Sequence, residues 1–339
     1  MLFASVNCLG HKKQAPGKKL FGIAVNEASG EDFDVAFGKA KELGINFTTL
    51  AINWDDVERS KGKFNPEPNF LAIANQYYPA NELPVALELN PIDTVKRRVP
   101  KDLSGIEFDD PGFVERYKAF LDWSFTQIPD LQLVSLTIGN EIDVYLGTDP
   151  LKWEQFRRFY SQVAAHAKTL RPGLKVGSKI TLNGLTDLKE YAGPLNSETD
   201  VVLTTYYHLG GDFKVMKPET ISTVFNDLVE LYPDREIYFL EIGYPSGKLC
   251  GSSEQNQARF ISEVFKGWDK HDDHIKVLNF TWLTDISPHS ADNYEGYYGI
   301  DNKSFREFLS TIGLRTNSGK PKQALEILKT ELEQRKMLK

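Results

Sequence analysis

Eight short apolar runs alternate with stretches of helical apolar spacing from Leu20 to the end of the chain, and this alternation limits the folds open to it. The runs are Leu20–Val25, Phe47–Ile52, Pro84–Leu89, Leu133–Ile138, Lys175–Ile180, Val201–Thr205, Ile237–Leu240 and Lys276–Thr281. Most are continuous in Val, Ile, Leu and Phe, as suits parallel strands covered on both faces. Helical patterns lie at Asp32–Leu43, Gly112–Thr126, Trp153–Leu170, Pro218–Leu231 and Gln255–Lys270. They stop at Gly44, Pro129, Pro172 and Pro233, where glycine relieves a left-handed cap or proline cannot continue the helix. Strand–helix units repeated eight times predict a parallel sheet closed into a (β/α)8 TIM barrel. An open doubly wound sheet is the alternative. It usually shows a Gly-rich phosphate loop after its first strand, whereas Val25 leads into Asn26-Glu27-Ala28-Ser29-Gly30.

The barrel is therefore expected as a single domain over residues 20–339, behind an N-terminal extension of residues 1–19. Met1–Gly10 is apolar but short and uncharged. It reads as the stub of a truncated export signal, even a lipoprotein signal ending at Cys8, or as a plain extension. The first case implies a secreted, periplasmic or lipid-anchored protein and the second a cytoplasmic one. Cys8 and Cys250 are the two cysteines, and free thiols are expected. No run is long enough to span a membrane. The formal charge is 40 − 47 = −7 with no basic block, which disfavours nucleic acid and anionic membranes as partners. The sequence shows no internal repeat and no low-complexity linker. A monomer is expected. The segments 90–110 and 284–304 read as polar loops on a cleft rim, and 321–339 as a surface helix.

In such a barrel the chemistry sits at the carboxyl ends of the strands. Two glutamates stand there. Glu141 closes Leu-Val-Ser-Leu-Thr-Ile-Gly-Asn-Glu-Ile, and Glu241 lies in Glu-Ile-Tyr-Phe-Leu-Glu-Ile-Gly-Tyr-Pro. A carboxylate at the end of a buried strand is costly to keep in a core, so it usually projects into a cleft. Strands four and seven occupy facing walls, from which two glutamates can approach the roughly 5–5.5 Å separation of a retaining glycosidase.

Glu88, inside an apolar strand, needs a partner, and Lys179 across the barrel is the candidate; an ion pair and a substrate contact both fit. Adjacent strand residues face opposite ways, so one member of the Tyr206–Tyr207 pair faces the cleft. Tyr206, which directly follows the run, is the expected one. His208 is the histidine best placed for a subsite. Trp282 suits either an apolar floor for a sugar ring or the barrel core. His271 and His274 lie among Asp and Lys and read as solvated surface. Strand one offers no His-x-His and no strand end a ligand cluster, so neither a metal nor an organic cofactor is expected. Lys179 would also suit a Schiff-base lyase, but no Gly-rich phosphate site follows strands seven and eight.

Asn140-Glu141 and Glu241 at the fourth and seventh strand ends resemble the signature of the clan A (β/α)8 retaining glycoside hydrolases. Thr-Ile-Gly-Asn-Glu-Ile together with Glu-Ile-Gly-Tyr-Pro is most similar to arabinogalactan endo-1,4-β-galactosidases and neighbouring endo-acting families. Asn53-Trp54-Asp55-Asp56-Val57-Glu58 and the ending from Gly313-Leu314 to Lys320-Pro321-Lys322 add to the likeness. The resemblance implies that Glu141 is the acid/base and Glu241 the nucleophile. It further implies that Asn140 binds the sugar 2-hydroxyl, that Tyr206 or Tyr207 donates to Glu241, and that Trp282 floors the sugar. Clan members often carry an Arg near the end of strand two that supports the nucleophile. Thr48–Asn53 has none, and Asn53 and Lys179 are the candidates for its place. The expected function is a two-glutamate double displacement on a β-linked poly- or oligosaccharide without cofactor. A non-catalytic carbohydrate-binding barrel is the alternative, and the sugar and the endo or exo mode stay open.

Overall fold

Alternate residues of most apolar runs face a barrel interior or a surrounding helix layer, and in most both sets are buried; in the second run, Ala51 is exposed at the cavity. The computed structural model of the protein describes residues 19–338. The strands are β1 (Leu20–Ile23), β2 (Thr48–Asn53), β3 (Val85–Asp93), β4 (Leu133–Asn140), β5 (Val176–Gly177 and Lys179–Thr181), β6 (Val202–Tyr207), β7 (Ile237–Gly243) and β8 (Ile275–Phe280). Parallel ladders run in the orders β2-β3-β4-β5 and β5-β6-β7-β8-β1. β5 is interrupted at Ser178, with its first half on β4 and its second on β6, so the two ladders meet in it. At the β1–β2 seam the backbone of Phe21 is held by Asn46 instead. The Asn46 N–H donates to the Phe21 carbonyl (2.9 Å) and its Oδ1 accepts from the Phe21 N–H (2.8 Å). One inner cluster draws Phe47, Ala86, Leu203, Tyr238, Leu240 and Val277 together from around the ring, as a filled (β/α)8 barrel requires.

Helices α1 (Phe33–Glu42), α2 (Phe70–Ala80), α3 (Pro111–Gln127), α4 (Pro150–Leu170), α5 (Lys189–Asn196), α6 (Ile221–Leu231), α7 (Glu254–Lys270) and α8 (Gln323–Gln334) form the outer layer. Their starts follow from the sequence. Asp32, Asp110, Asp149 and Ser253 accept first-turn N–H groups, and Pro111 and Pro150 occupy first-turn positions. The expected surface helix near the end is α8, which buries Ala324, Leu325, Leu328 and Leu332. α2 and α5 were not legible as helices; each carries a proline near its end, Pro79 and Pro194.

The segment 284–304, expected as a loop from its polar composition, contains the helix Pro288–Tyr298, and a second helix, Lys303–Thr311, follows. Ser287 caps the first and Pro288 opens it. Its tyrosines are held by packing: Tyr294 lies against Trp282 and Tyr298 against Phe305. After β3 the chain turns at Thr94 (φ 50°) into a short antiparallel strand, Lys96–Arg97. The expected N-terminal extension and Cys8 fall, apart from Lys19, outside the described residues. Among the described residues no helix is long and apolar enough to cross a membrane.

Candidate active site

The strands do not stop where the apolar runs stop. β4 continues to Asn140, β6 to Tyr207 and β7 to Gly243, carrying polar residues into a cavity of about 540 Å³ at the carboxyl-terminal mouth. Glu88, Asn140, Glu141, Lys179, Glu241 and Trp282 all line it.

Two backbone irregularities aim the glutamates. Gly139 has φ 85° and Glu141 φ 44°, so regular alternation ends there and Asn140 and Glu141 both face the cavity. A Cβ on Gly139 would fall 2.6 Å from Ile142, on a backbone that side chains rarely adopt, so glycine is favoured there. A left-handed glutamate costs on the order of 1–2 kcal/mol, a strain of the kind found at functional sites. On β7 the register with β6 shifts between Thr204 and Thr205, passing from the Thr204–Phe239 pair to the Thr205–Glu241 pair. Leu240 is left unpaired by this bulge, and it and Glu241 both reach the cavity.

Glu141 accepts from Thr205 Oγ1 (2.7 Å) and Thr94 Oγ1 (2.9 Å). Since Thr205 is also the cross-strand partner of Glu241, one hydroxyl joins the Glu141 carboxyl to the position beside the second glutamate. Both carboxyls line the same cavity. Burial, and next the negative charge of Glu241, raise the Glu141 pKa to about 7.

Glu241 is held at both oxygens. Lys179 Nζ donates to Oε1 at 2.7 Å, and the Tyr207 hydroxyl donates to Oε2. Lys179 is 1% exposed and bonds Glu88 at 2.7 Å as well. Burial alone would lower the Lys179 pKa, but the charges of Glu241 and Glu88 override it and hold the ammonium protonated. Glu88 itself is 3% exposed, and burial pushes its carboxyl up against the pull of Lys179. Of the two residues expected as candidates to support Glu241, Lys179 is bonded to it. Asn53 lines the cavity but bonds Asp56 (3.2 Å) and no group of Glu241.

Asn140 Nδ2 donates to Asp93 Oδ1 (2.7 Å), while its buried Oδ1 has no protein partner. That oxygen is free to accept from a ligand hydroxyl. Trp282 forms a half-buried wall against Tyr294.

Two expectations need correction. Tyr207, not Tyr206, binds Glu241. β6 runs on to Tyr207, so Leu203, Thr205 and Tyr207 share the inner face, and Tyr206 points to the helix layer. His208 is no subsite residue either. It is fully buried, bonds the Tyr206 hydroxyl, and meets Lys217 O and Thr220 Oγ1 at 2.9 Å each. Burial lowers its pKa.

Sequence reasoning missed Thr94, Thr205, Asp93 and the tyrosines of the helix Pro288–Tyr298. Short hydroxyl residues and a polar loop carry no local signal of a site. Among the described residues no group of three or more His, Cys, Asp or Glu is arranged to hold a metal ion.

No family model matches the sequence, and no curated protein sequence matches it. Solved structures do resemble it. An exo-β-1,4-mannosidase from Opitutaceae bacterium strain TAV5 matches with a TM-score of 0.73 at 15% identity, over 99% of this chain and 63% of that one. GH5_18 from Streptomyces cattleya, solved in complex with GlcNAc, matches at 0.71 and 14%, over 94% and 81%. A fungal β-1,4-galactanase matches at 0.62 and 16%, over 93% of this chain and all of its own. The chain spans less than two thirds of the mannosidase. At these identities the likeness establishes the (β/α)8 barrel.

Proposed function

We propose that the protein is a retaining β-glycoside hydrolase acting on a poly- or oligosaccharide, with Glu141 as acid/base and Glu241 as nucleophile. The observation that carries this reading is the different treatment of two carboxyls in one cavity. Glu141 is half-buried and its pKa is raised to about 7, which keeps much of the carboxyl protonated near neutral pH. Glu241 is fixed at both oxygens by an ammonium and a phenol. A carboxylate so held suits attack on carbon better than the positioning of a water. The charge of Glu241 is felt at Glu141, as two carboxyls working at one glycosidic bond require.

In the first step Glu141 protonates the glycosidic oxygen while Glu241 Oε2 or Oε1 bonds to the anomeric carbon, and the aglycone leaves with the proton. Esterification removes the charge of Glu241, so the pKa of Glu141 falls. Glu141 then takes a proton from water as the water oxygen attacks the same carbon, and Glu241 departs as the carboxylate. The Oδ1 of Asn140 accepts from a sugar hydroxyl beside this centre, and Trp282 supplies an apolar wall for the ring. Lys179, held protonated by two carboxylates, lacks the neutral amine that a Schiff-base mechanism needs.

The structural neighbours are described as a β-mannosidase and a β-galactanase, which makes β-mannosides and β-galactosides the first substrates to test. A 2-deoxy-2-fluoro β-glycoside with a good leaving group should label Glu241, and NMR of the first product should show the β anomer. An α product, or a label on another residue, would overturn the reading; binding without turnover would place the protein among carbohydrate-binding barrels.

A further inference from the structure

Between Trp282 and Gly313 the chain leaves the barrel and crosses its mouth. The helix Pro288–Tyr298 goes out, Gly299 (φ 69°) turns the chain, and Lys303–Thr311 brings it back. At its far point Tyr297 reaches the turn after β3. Its hydroxyl donates to Asp93 Oδ2 at 2.6 Å and lies 3.2 Å from the Asp93 carbonyl. Lys96 Nζ sits 3.8 Å from the centre of the Tyr297 ring. In strand order β8 and β3 are separated by β1 and β2, so this contact bridges that part of the rim.

The bridge lies over the reacting groups. Tyr294, Tyr298 and Ile300 on one side, and Thr94 and Val95 on the other, line the same cavity as Glu141 and Glu241. Burial and the charges of both glutamates raise the Tyr298 phenol pKa, as its place over them requires. The bridge is tied to the catalytic level as well. Asp93 receives Tyr297 from above and Asn140 from below, at 2.6 and 2.7 Å. The returning helix braces it, with Phe305 against Tyr298 and Phe308 against Tyr207.

An open groove lets the middle of a polymer settle across the glutamates. A bridged one does not, because the Tyr297–Asp93 contact must break before a chain interior can descend. A cavity of about 540 Å³ is in the range that encloses a small ligand. We propose that the insertion after β8 makes the site a covered cavity entered by chain ends and short oligosaccharides, with Tyr297 as the residue that fixes the cover. This rests on the glycosidase reading and adds the form of substrate.

The test pairs two assays on the whole chain. A panel of p-nitrophenyl β-hexosides and short oligosaccharides identifies the sugar, and the matching soluble β-1,4-linked polysaccharide is then followed by viscosity and reducing ends together. The expected result is turnover of the short substrates, with reducing ends from the polymer accumulating before viscosity falls. Early loss of viscosity, at few bonds cut, overturns the covered site while leaving the glycosidase reading intact. No turnover of the short glycosides while polysaccharides are cut also overturns the covered site alone, and no cleavage of any glycoside or polysaccharide defeats both. The Tyr297→Phe variant keeps the ring packed but loses the bond to Asp93. Its ratio of viscosity loss to reducing ends should rise by roughly tenfold or more, as loss of one hydrogen bond to a charged acceptor shifts the open population. An unchanged ratio removes Tyr297 from the role.

Discussion

The Nζ of Lys179 lies 2.7 Å from Oε1 of Glu241, on β5 and β7 of the same barrel. The same ammonium lies 2.7 Å from Glu88, whose carboxyl is 3% exposed. One buried cation therefore serves two carboxylates with different surroundings, since the Glu241 side chain keeps 26% of its exposure and faces the cavity. Removing the cation strands one charge in the core and frees the other in the site.

Two effects should then separate in variants of Lys179. Lys179→Met should lower kcat by at least about a hundredfold and cost roughly 3–5 kcal/mol of stability, because it leaves Glu88 buried without its partner. Adding Glu88→Gln to Lys179→Met should restore most of the stability and little of the activity, since Glu241 still lacks its donor. Thermal unfolding and kcat measured side by side check this. Equal recovery of both quantities would show that Lys179 acts only on the fold.

The adjacent tyrosines give a sharper contrast. Tyr207→Phe removes a donor to Glu241 and should reduce kcat by about ten- to a hundredfold with little change in melting temperature, the order expected for a hydrogen bond to a charged group. Tyr206→Phe strips a buried partner from His208 and should destabilise by about 1–2 kcal/mol while leaving kcat within about twofold. The reverse pattern would return the role to Tyr206.

That contrast also marks what could be read from the sequence. The eight runs and the two terminal glutamates were legible because a charged residue ending an apolar run stands out against its surroundings. Lys179 was legible for the same reason, and so were Glu88 as a partner and the support of Glu241 as a candidate task; that one ammonium bonds both carboxylates at once was not, since three strands must meet to bring them together. Tyr207 was hidden because the strand continues past its apolar residues, and the inner-face alternation of Leu203 and Thr205 runs on to it. The β7 bulge beside Leu240 is a pairing event between strands and leaves no trace in either one alone. The covering helix was hidden by polar composition, because its tyrosines pack against Trp282 and Phe305 from distant parts of the chain.

Glu241 also sets the titration of its neighbour. Burial raises the Glu141 pKa first and the charge of Glu241 raises it further, to about 7. In the wild type, kcat/KM should fall on the alkaline side with a midpoint near 7, as the acid loses its proton. Glu241→Gln removes the second cause and not the first. Carbon-detected NMR of labelled glutamate should show Glu141 titrating below its wild-type midpoint yet still above the ordinary glutamate value. An unmoved midpoint would mean that the carboxyls do not sense each other.

The same shift ties stability to pH, with a sign opposite to that of a salt-bridged acid. The Glu141 carboxyl has a folded pKa of about 7 against an ordinary value of 4.5, so between those values the folded state binds more protons than the unfolded one. Stability from this group is complete below the unfolded pKa and is lost as pH rises through the folded one. Glu141→Gln cannot ionise and escapes that loss. Its stability relative to wild type should rise between pH 5 and pH 8 by at most ~3 kcal/mol. The constant effect of replacing one oxygen near Thr94 and Thr205 cancels in that comparison. Melting curves of both proteins at the two pH values measure it. A difference that stays flat across the range, or that favours the wild type at pH 8, would show that Glu141 is not the protonated member of the pair.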